Sequence, residues 1–149
     1  MQIQTALMTS DEKSILEKSI RDKKRILLII RAASLAGPAV LFVVNCFMPV
    51  ENFYYYFPVI LVSEVTVMLI ISRIIKKSIV QTKSDVEKGI KEIINGTISD
   101  IDKKYGTIKI EDRKVDITVK NIESIRIGDE ITVHTAKESG FPLKIETVK

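Results

Sequence analysis

Two ionisable residues, Arg31 and Glu64, lie inside the two most apolar stretches of the chain. Between Ala32 and Ser72 the sequence has no Lys or Arg, and its only other acid is Glu51. An ionisable side chain in hydrocarbon is costly and usually functional, as a proton carrier, an ion ligand or a contact between helices. Arg31 and Glu64 are therefore the first candidate site residues.

The two apolar stretches have the length of membrane spans. They cover Ile26–Val44 and Tyr54–Ile75, and a helix of about 20 residues crosses a hydrocarbon core of about 30 Å. Aromatic residues begin the second stretch, as they do at a membrane interface. The sequence predicts a transmembrane helical hairpin over residues 26–75, joined by a connection, residues 45–53, that is too short for a domain.

Basic residues flank the hairpin on both outer sides. Six bases meet four acids in residues 1–25, and six bases meet three acids in residues 73–94. Short basic flanks stay in the cytoplasm during insertion, and an anionic inner leaflet attracts them. We therefore expect a multi-pass protein of the plasma (inner) membrane with both termini in the cytoplasm. The membrane-surface bases are Lys23, Lys24, Arg25, Arg73, Lys76 and Lys77.

Two processing signals fit the sequence less well than a hairpin. The polar leader of 25 residues and the first apolar run are both too long for a cleaved signal peptide. A lipoprotein signal at Cys46 would need a small residue just before the cysteine, and residues 43–45 supply none.

The depths of Arg31 and Glu64 predict different surroundings. Arg31 lies six residues past Arg25, so its side chain can reach the membrane surface by snorkelling. Glu64 lies near the middle of its span, where a carboxyl group must be protonated, paired or facing a wet cavity. An Arg31–Glu64 ion pair, within one chain or between neighbours, is also within reach, since the depths differ by about one and a half helical turns.

Small residues of the first span indicate helix packing. Ala33 and Gly37 have the four-residue spacing that lets two helices approach closely. This patch could pack against the second span of the same chain or against another copy, and the sequence leaves both interpretations open. Two helices enclose Glu64 poorly, so we expect an oligomer or a larger membrane complex.

The remaining segments are predicted from their periodicity. Residues 1–25 form a cytoplasmic leader, which is either a plain polar segment or contains an amphipathic helix on the membrane surface over Thr5–Ile20. Residues 76–94 continue the helical spacing as a stalk that ends at Asn95–Gly96. After this the period becomes two, which predicts about five short antiparallel strands. One covers Gly96–Ile101, and the others are marked by Ile108/Ile110, Val115/Ile117/Val119, Ile131/Val133 and Leu143/Ile145.

The fold class is therefore a membrane α+β protein. A two-helix transmembrane hairpin precedes a helical stalk and a small five-stranded antiparallel β-barrel of the SH3-like or OB-like kind over residues 95–149. Ten bases and ten acids leave this barrel neutral, which argues against nucleic acid as a partner. The lipid bilayer and a protein partner or a second copy are the expected partners.

No constellation in the sequence predicts catalysis, a cofactor or a metal. The chain has one His, His134, which the alternation places on the outward, solvated face of a strand, and one Cys. We therefore expect a non-catalytic membrane scaffold or accessory subunit that docks through its hairpin and presents the barrel to a cytoplasmic partner. The alternative is an oligomeric component for ion or proton transport, in which Glu64 binds the ion and Arg31 is its counter-charge.

Overall fold

The computed structural model describes residues 2–49, 51–117 and 125–147. Its elements follow the chain as β1 (Gln2–Leu7), α1 (Ser10–Phe47), α2 (Phe53–Lys88), β2 (Ile90–Asp102), β3 (Thr107–Ile110), β4 (Arg113–Asp116), β5 (Glu130–Ala136) and β6 (Pro142–Thr147). They form two compact units, which we call the sheet unit (Met1–Ser19 and Val80–Lys149) and the hairpin unit (Ile20–Ile79).

The hairpin unit consists of two antiparallel helical segments, as predicted. The ring of Phe42 lies 6.0 Å from that of Phe57 near the turn, and Lys23 donates a hydrogen bond of 2.9 Å to Ser78 at the other end. The helix α1 extends through Asn45 to Phe47, so the connection is shorter than predicted. Both helices are long and apolar enough to cross a membrane.

The sheet unit contains an antiparallel sheet of six strands. Strand order is β4-β3-β2-β5-β6, and β1 also pairs with β2. The long strand β2 holds the sheet together because its first half pairs with both β1 and β5, whereas its second half pairs with β3. The sheet is not closed in the described ranges, so the predicted five-stranded barrel appears as an open sheet with one more strand.

The additional strand comes from the N-terminal leader. Residues 2–7 form β1 along β2, and the leader turns helical only at Ser10. Thr9 and Glu12 form a capping box at this helix start: the Thr9 amide donates to the Glu12 carboxylate at 2.8 Å, and the Glu12 amide donates to the Thr9 hydroxyl at 3.3 Å. The prediction of a separate amphipathic or polar leader is therefore wrong for residues 2–7.

The predicted helical stalk also ends earlier than expected. Helix α2 stops at Lys88, and Gly89 has a φ of 64°, the left-handed conformation that glycine adopts readily at a helix end. Residues 90–94 belong to β2, and Gly96 lies inside that strand. The spacing of their apolar residues also fits a helix, but this stretch pairs with β1 on one side and with β5 on the other, which makes it a strand.

Two hydrophobic clusters cover the two faces of the sheet. The larger lies on the face of Ile94, Ile131 and Val133, which are at most 1% exposed, and the smaller joins Met8, Leu16 and Ala136. The first helical turns of α1 therefore cover the second face. The predicted strand residue Val119 lies outside the described residues.

Candidate functional site

Glu64 is the half-buried acid of the hairpin unit. Its Oε1 lies 3.0 Å from the position that a Cβ on Gly37 would occupy, so the carboxylate uses the space left by the glycine. Its Oε2 is buried and has no hydrogen-bond partner among the described residues. A buried polar atom without a partner costs free energy, so this oxygen marks the place where a donor is missing.

A cavity of about 260 Å³ opens beside Glu64. Two serines in its wall, Ser34 and Ser63, donate their hydroxyl protons to carbonyls of their own helices at 3.0 and 2.7 Å. Because these protons are already used, neither serine satisfies Glu64. The full lining is Ile30, Ser34, Ser63, Glu64, Val67, Met68 and Ile71.

Arg31 does not supply the missing donor. It is exposed and lines a second cavity together with Ser72 and Lys76, towards the basic end of the hairpin. Among the residues that the structure describes, no ion pair joins Arg31 to Glu64. The Arg31–Glu64 ion pair, which the sequence predicted to be within reach, is therefore not formed within one chain.

The other predicted site residues occupy the surface of the hairpin unit. Ala33 is exposed, whereas Gly37 is partly covered by Glu64, so the two small residues have different surroundings. Lys23 is partly buried and bonded to Ser78. The remaining predicted membrane-surface bases are exposed: Lys24, Arg25, Arg73, Lys76 and Lys77.

The sheet unit contains a second buried acid, Glu12, which sequence reasoning missed. Its Oε1 lies 2.6 Å from Nζ of Lys91, and both side chains are at most 10% exposed. Burial raises the pKa of Glu12, but the hydrogen bonds from Lys91 and Thr9 outweigh it and hold the pKa below its ordinary value. Glu12 therefore stays ionised at neutral pH and ties the start of α1 to β2.

His134 lies beside this ion pair, which corrects its predicted position on a solvated face. Its side chain is 14% exposed, and its Nδ1 lies 3.7 Å from Oε1 of Glu12. That nitrogen has no hydrogen-bond partner in the described part of the chain. The prediction was wrong because α1 covers the outward face of β5, which the alternation of residues along one strand cannot reveal.

The chemistry available at the two acids differs. Both carboxylate oxygens of Glu12 accept hydrogen bonds, from Lys91 and from Thr9. Glu12 is therefore a structural residue and not a free base. Glu64 keeps one free acceptor in an apolar unit. Within residues 2–49, 51–117 and 125–147, no group of three or more His, Cys, Asp or Glu side chains is placed to hold a metal ion.

Comparison with protein-family models, with curated proteins and with solved structures gave no match to this chain.

Proposed function

We propose that the protein is a two-span integral membrane scaffold or accessory subunit without catalytic activity. Support comes from the hairpin unit: in the most apolar segments of its two helices, only 11% and 6% of the residues are buried. A soluble protein rarely leaves so much contiguous apolar surface uncovered. The uncovered side chains include Leu28, Leu35, Val40, Val59, Val62 and Leu69, each more than half exposed.

The pairing of β1 with β2 supports an even number of membrane crossings by the chain between these two strands. Helix α1 follows β1 after two residues, and β2 follows α2 after one. Because β1 and β2 are paired strands of one sheet, the two outer ends of the hairpin have to be on the same side of a bilayer. The basic flanks favour the cytoplasmic side of the plasma membrane for that sheet.

The single observation that carries the docking function is the unpartnered Oε2 of Glu64. The hydrocarbon core of a bilayer offers no hydrogen-bond donor, so outside a wet cavity a polar atom at this depth has to find its donor in protein. The chain's own serines and Arg31 do not provide it. A donor from a second copy or from a larger membrane complex would satisfy Glu64 and fix the position of the hairpin within the assembly.

The sheet unit is then the part that engages a cytoplasmic partner. We retain the SH3-like or OB-like barrel as part of this proposal, because Arg113 on β4 donates to Glu92 on β2 at 2.8 Å. In the described ranges β4 pairs with β3 alone, and β3 pairs with the second half of β2, whereas Glu92 lies in the first half. The contact therefore supports a sheet that curls towards closure.

Transport of a proton or cation through an oligomer is the second candidate. The cavity with Ser34, Ser63 and Glu64 in its wall favours it, because hydroxyl and carboxylate oxygens are ligands for a cation or proton. Arg31, the expected counter-charge, does not face Glu64 in this cavity. The docking function is therefore the better supported of the two.

One set of variants separates the two functions. Glu64→Leu removes the acceptor and should abolish the native complex on a native gel of solubilised membranes, whereas Glu51→Gln in the exposed connection should leave it intact. An intact complex with Glu64→Leu would contradict docking. If Glu64→Gln instead stops ion flux in reconstituted vesicles while the complex persists, the result supports transport in place of docking.

A further inference from the structure

The edges of the sheet are protected to different degrees. An open strand edge invites pairing with another chain, and proteins usually block it with charges, proline or very short strands. Strand β4 has four residues, three of them charged, and β6 carries Pro142, Lys144 and Glu146. Strand β1, with the sequence QIQTAL, has no charge and no proline, and no described strand pairs with its outer side.

The outer side of β1 offers a regular set of hydrogen-bonding groups. The Met8 amide donates to the Gly89 carbonyl at 2.8 Å, in the same register as the β1–β2 ladder. Successive residues of an antiparallel strand point their backbone groups to alternate sides. Gln4 and Ala6 therefore point towards β2, whereas Ile3, Thr5 and Leu7 point away from it.

Two of these three residues, Ile3 and Leu7, carry the exposed large apolar side chains of β1. Ile3 is 46% exposed and Leu7 is 78% exposed, and both lie on one face because they are separated by an even number of residues. A partner strand that covered them would bury apolar surface and satisfy the open backbone groups together.

We propose that β1 pairs with β1 of a second copy in an antiparallel arrangement centred on Thr5. In this register Thr5 lies opposite Thr5, and Ile3 lies opposite Leu7 of the second copy, so each exposed apolar side chain meets another on the same face. The outward backbone groups of Ile3, Thr5 and Leu7 are then all paired.

The uncharged sequence of β1 favours a second copy as its occupant. When a charged strand pairs with its own copy, like charges can come together and destabilise the sheet. Strand β1 has no charged residue, so this repulsion is absent. The contact is isologous, so it closes as a dimer and does not propagate into a fibre. This proposal does not depend on the function of Glu64, because it concerns the sheet unit alone.

Disulfide cross-linking of the full-length chain tests this register. In a Cys46→Ser background, Thr5→Cys places two thiols opposite each other at a Cα separation of about 5.5 Å, which a disulfide spans. Gln4→Cys is the matched control, because the two Cα atoms at this position are about 8 Å apart, beyond the reach of a disulfide. On mild oxidation in detergent, Thr5→Cys should give at least about tenfold more linked dimer than Gln4→Cys.

Equal cross-linking of the two variants would indicate random collision and overturn the proposal, as would the absence of dimer from both. Linkage of Thr5→Cys to a different polypeptide in native membranes, without self-linkage, would also overturn it.

Two proline variants provide a second measurement. Thr5→Pro removes an outward amide and should convert dimer to monomer while the amides of the β1–β2 ladder stay protected from hydrogen exchange, whereas Gln4→Pro should remove that protection because it breaks the β1–β2 ladder.

Discussion

Glu12 in the sheet unit and Glu64 in the hairpin unit are both covered carboxylates on long helices, but their partners differ. Glu12 has an ammonium group at 2.6 Å and a capping contact at 2.8 Å, whereas Glu64 has a buried oxygen with no partner in the described residues. A buried charge is tolerated where its hydrogen bonds are made within the fold. Within the described residues, the fold itself supplies the counter-charge and hydrogen bonds of Glu12, whereas it leaves one oxygen of Glu64 without a donor.

Asp85 extends the same contrast to another acid of the sheet unit. It is 1% exposed and accepts hydrogen bonds from the amides of Glu138 and Ser139 at 2.7 and 2.8 Å. These bonds fix the turn between β5 and β6 to the end of α2. Like Glu12, Asp85 is satisfied by groups of its own unit.

The largest effect is expected from Lys91→Met. This change leaves Glu12 buried without its counter-charge, which should lower the free energy of unfolding of the sheet unit by about 3–5 kcal/mol. Chemical denaturation of the full chain in detergent, followed by circular dichroism, measures the loss. The double variant Glu12→Gln with Lys91→Met should recover most of it, and equal losses in the two proteins would show that Glu12 is not the cause.

Asp85→Ala should have the next largest effect. It leaves the amides of Glu138 and Ser139 without their acceptor, at a cost of about 1–3 kcal/mol. Hydrogen exchange should show faster exchange at these two amides while the β1–β2 ladder stays protected. Unchanged exchange at residues 138 and 139 would contradict the assigned contact.

Gly37→Val tests the hairpin side of the comparison. The added side chain would meet Oε1 of Glu64, and overpacking of this kind costs about 1–3 kcal/mol. Ala33→Val is the matched control, because Ala33 lies one turn earlier and is exposed. Thermal unfolding in detergent should show a loss for Gly37→Val alone. An equal loss in both variants would mean that the volume of the first span, and not Glu64, sets the effect.

The smallest effect is the pH dependence of the sheet unit. Burial raises the pKa of Glu12, but the hydrogen bonds from Lys91 and Thr9 have the larger combined effect and hold the pKa below the ordinary 4.5. The resulting stability is therefore present above that value and is lost as the pH falls through the lowered pKa, with a slope of up to about 1.4 kcal/mol per pH unit. Acid titration should show this decline in the parent chain and a flatter curve in Glu12→Gln, and identical curves would contradict it.

The long-range features of the sheet unit could not be predicted from periodicity. The alternation in residues 108–145 predicts its C-terminal strands because each strand has one buried face. Strand β1 was missed because its side chains are mostly exposed and its partner β2 lies more than 80 residues later. The Thr9-x-x-Glu12 signature of a capping box was present and indicates a helix start at Ser10, so the helical part of the leader could have been located.

The candidate site was predictable in part. The cost of a charge in an apolar run singles out Glu64, and the small-residue spacing singles out Gly37, which the structure places in contact with it. The direction of Arg31 was not predictable, because it depends on which way the side chain turns between two helices. The Glu12, Lys91 and His134 cluster joins three elements far apart in sequence, so no local pattern could reveal it.

The most direct test of the two-span account uses Cys46, which is exposed at the end of α1. We predict that a membrane-impermeant maleimide labels Cys46 in intact cells. A cysteine at position 105, introduced as Tyr105→Cys in a Cys46→Ser background, should react only after the membrane is permeabilised. Protection of Cys46 in intact cells together with labelling at position 105, or release of the protein by alkaline carbonate, would contradict the account.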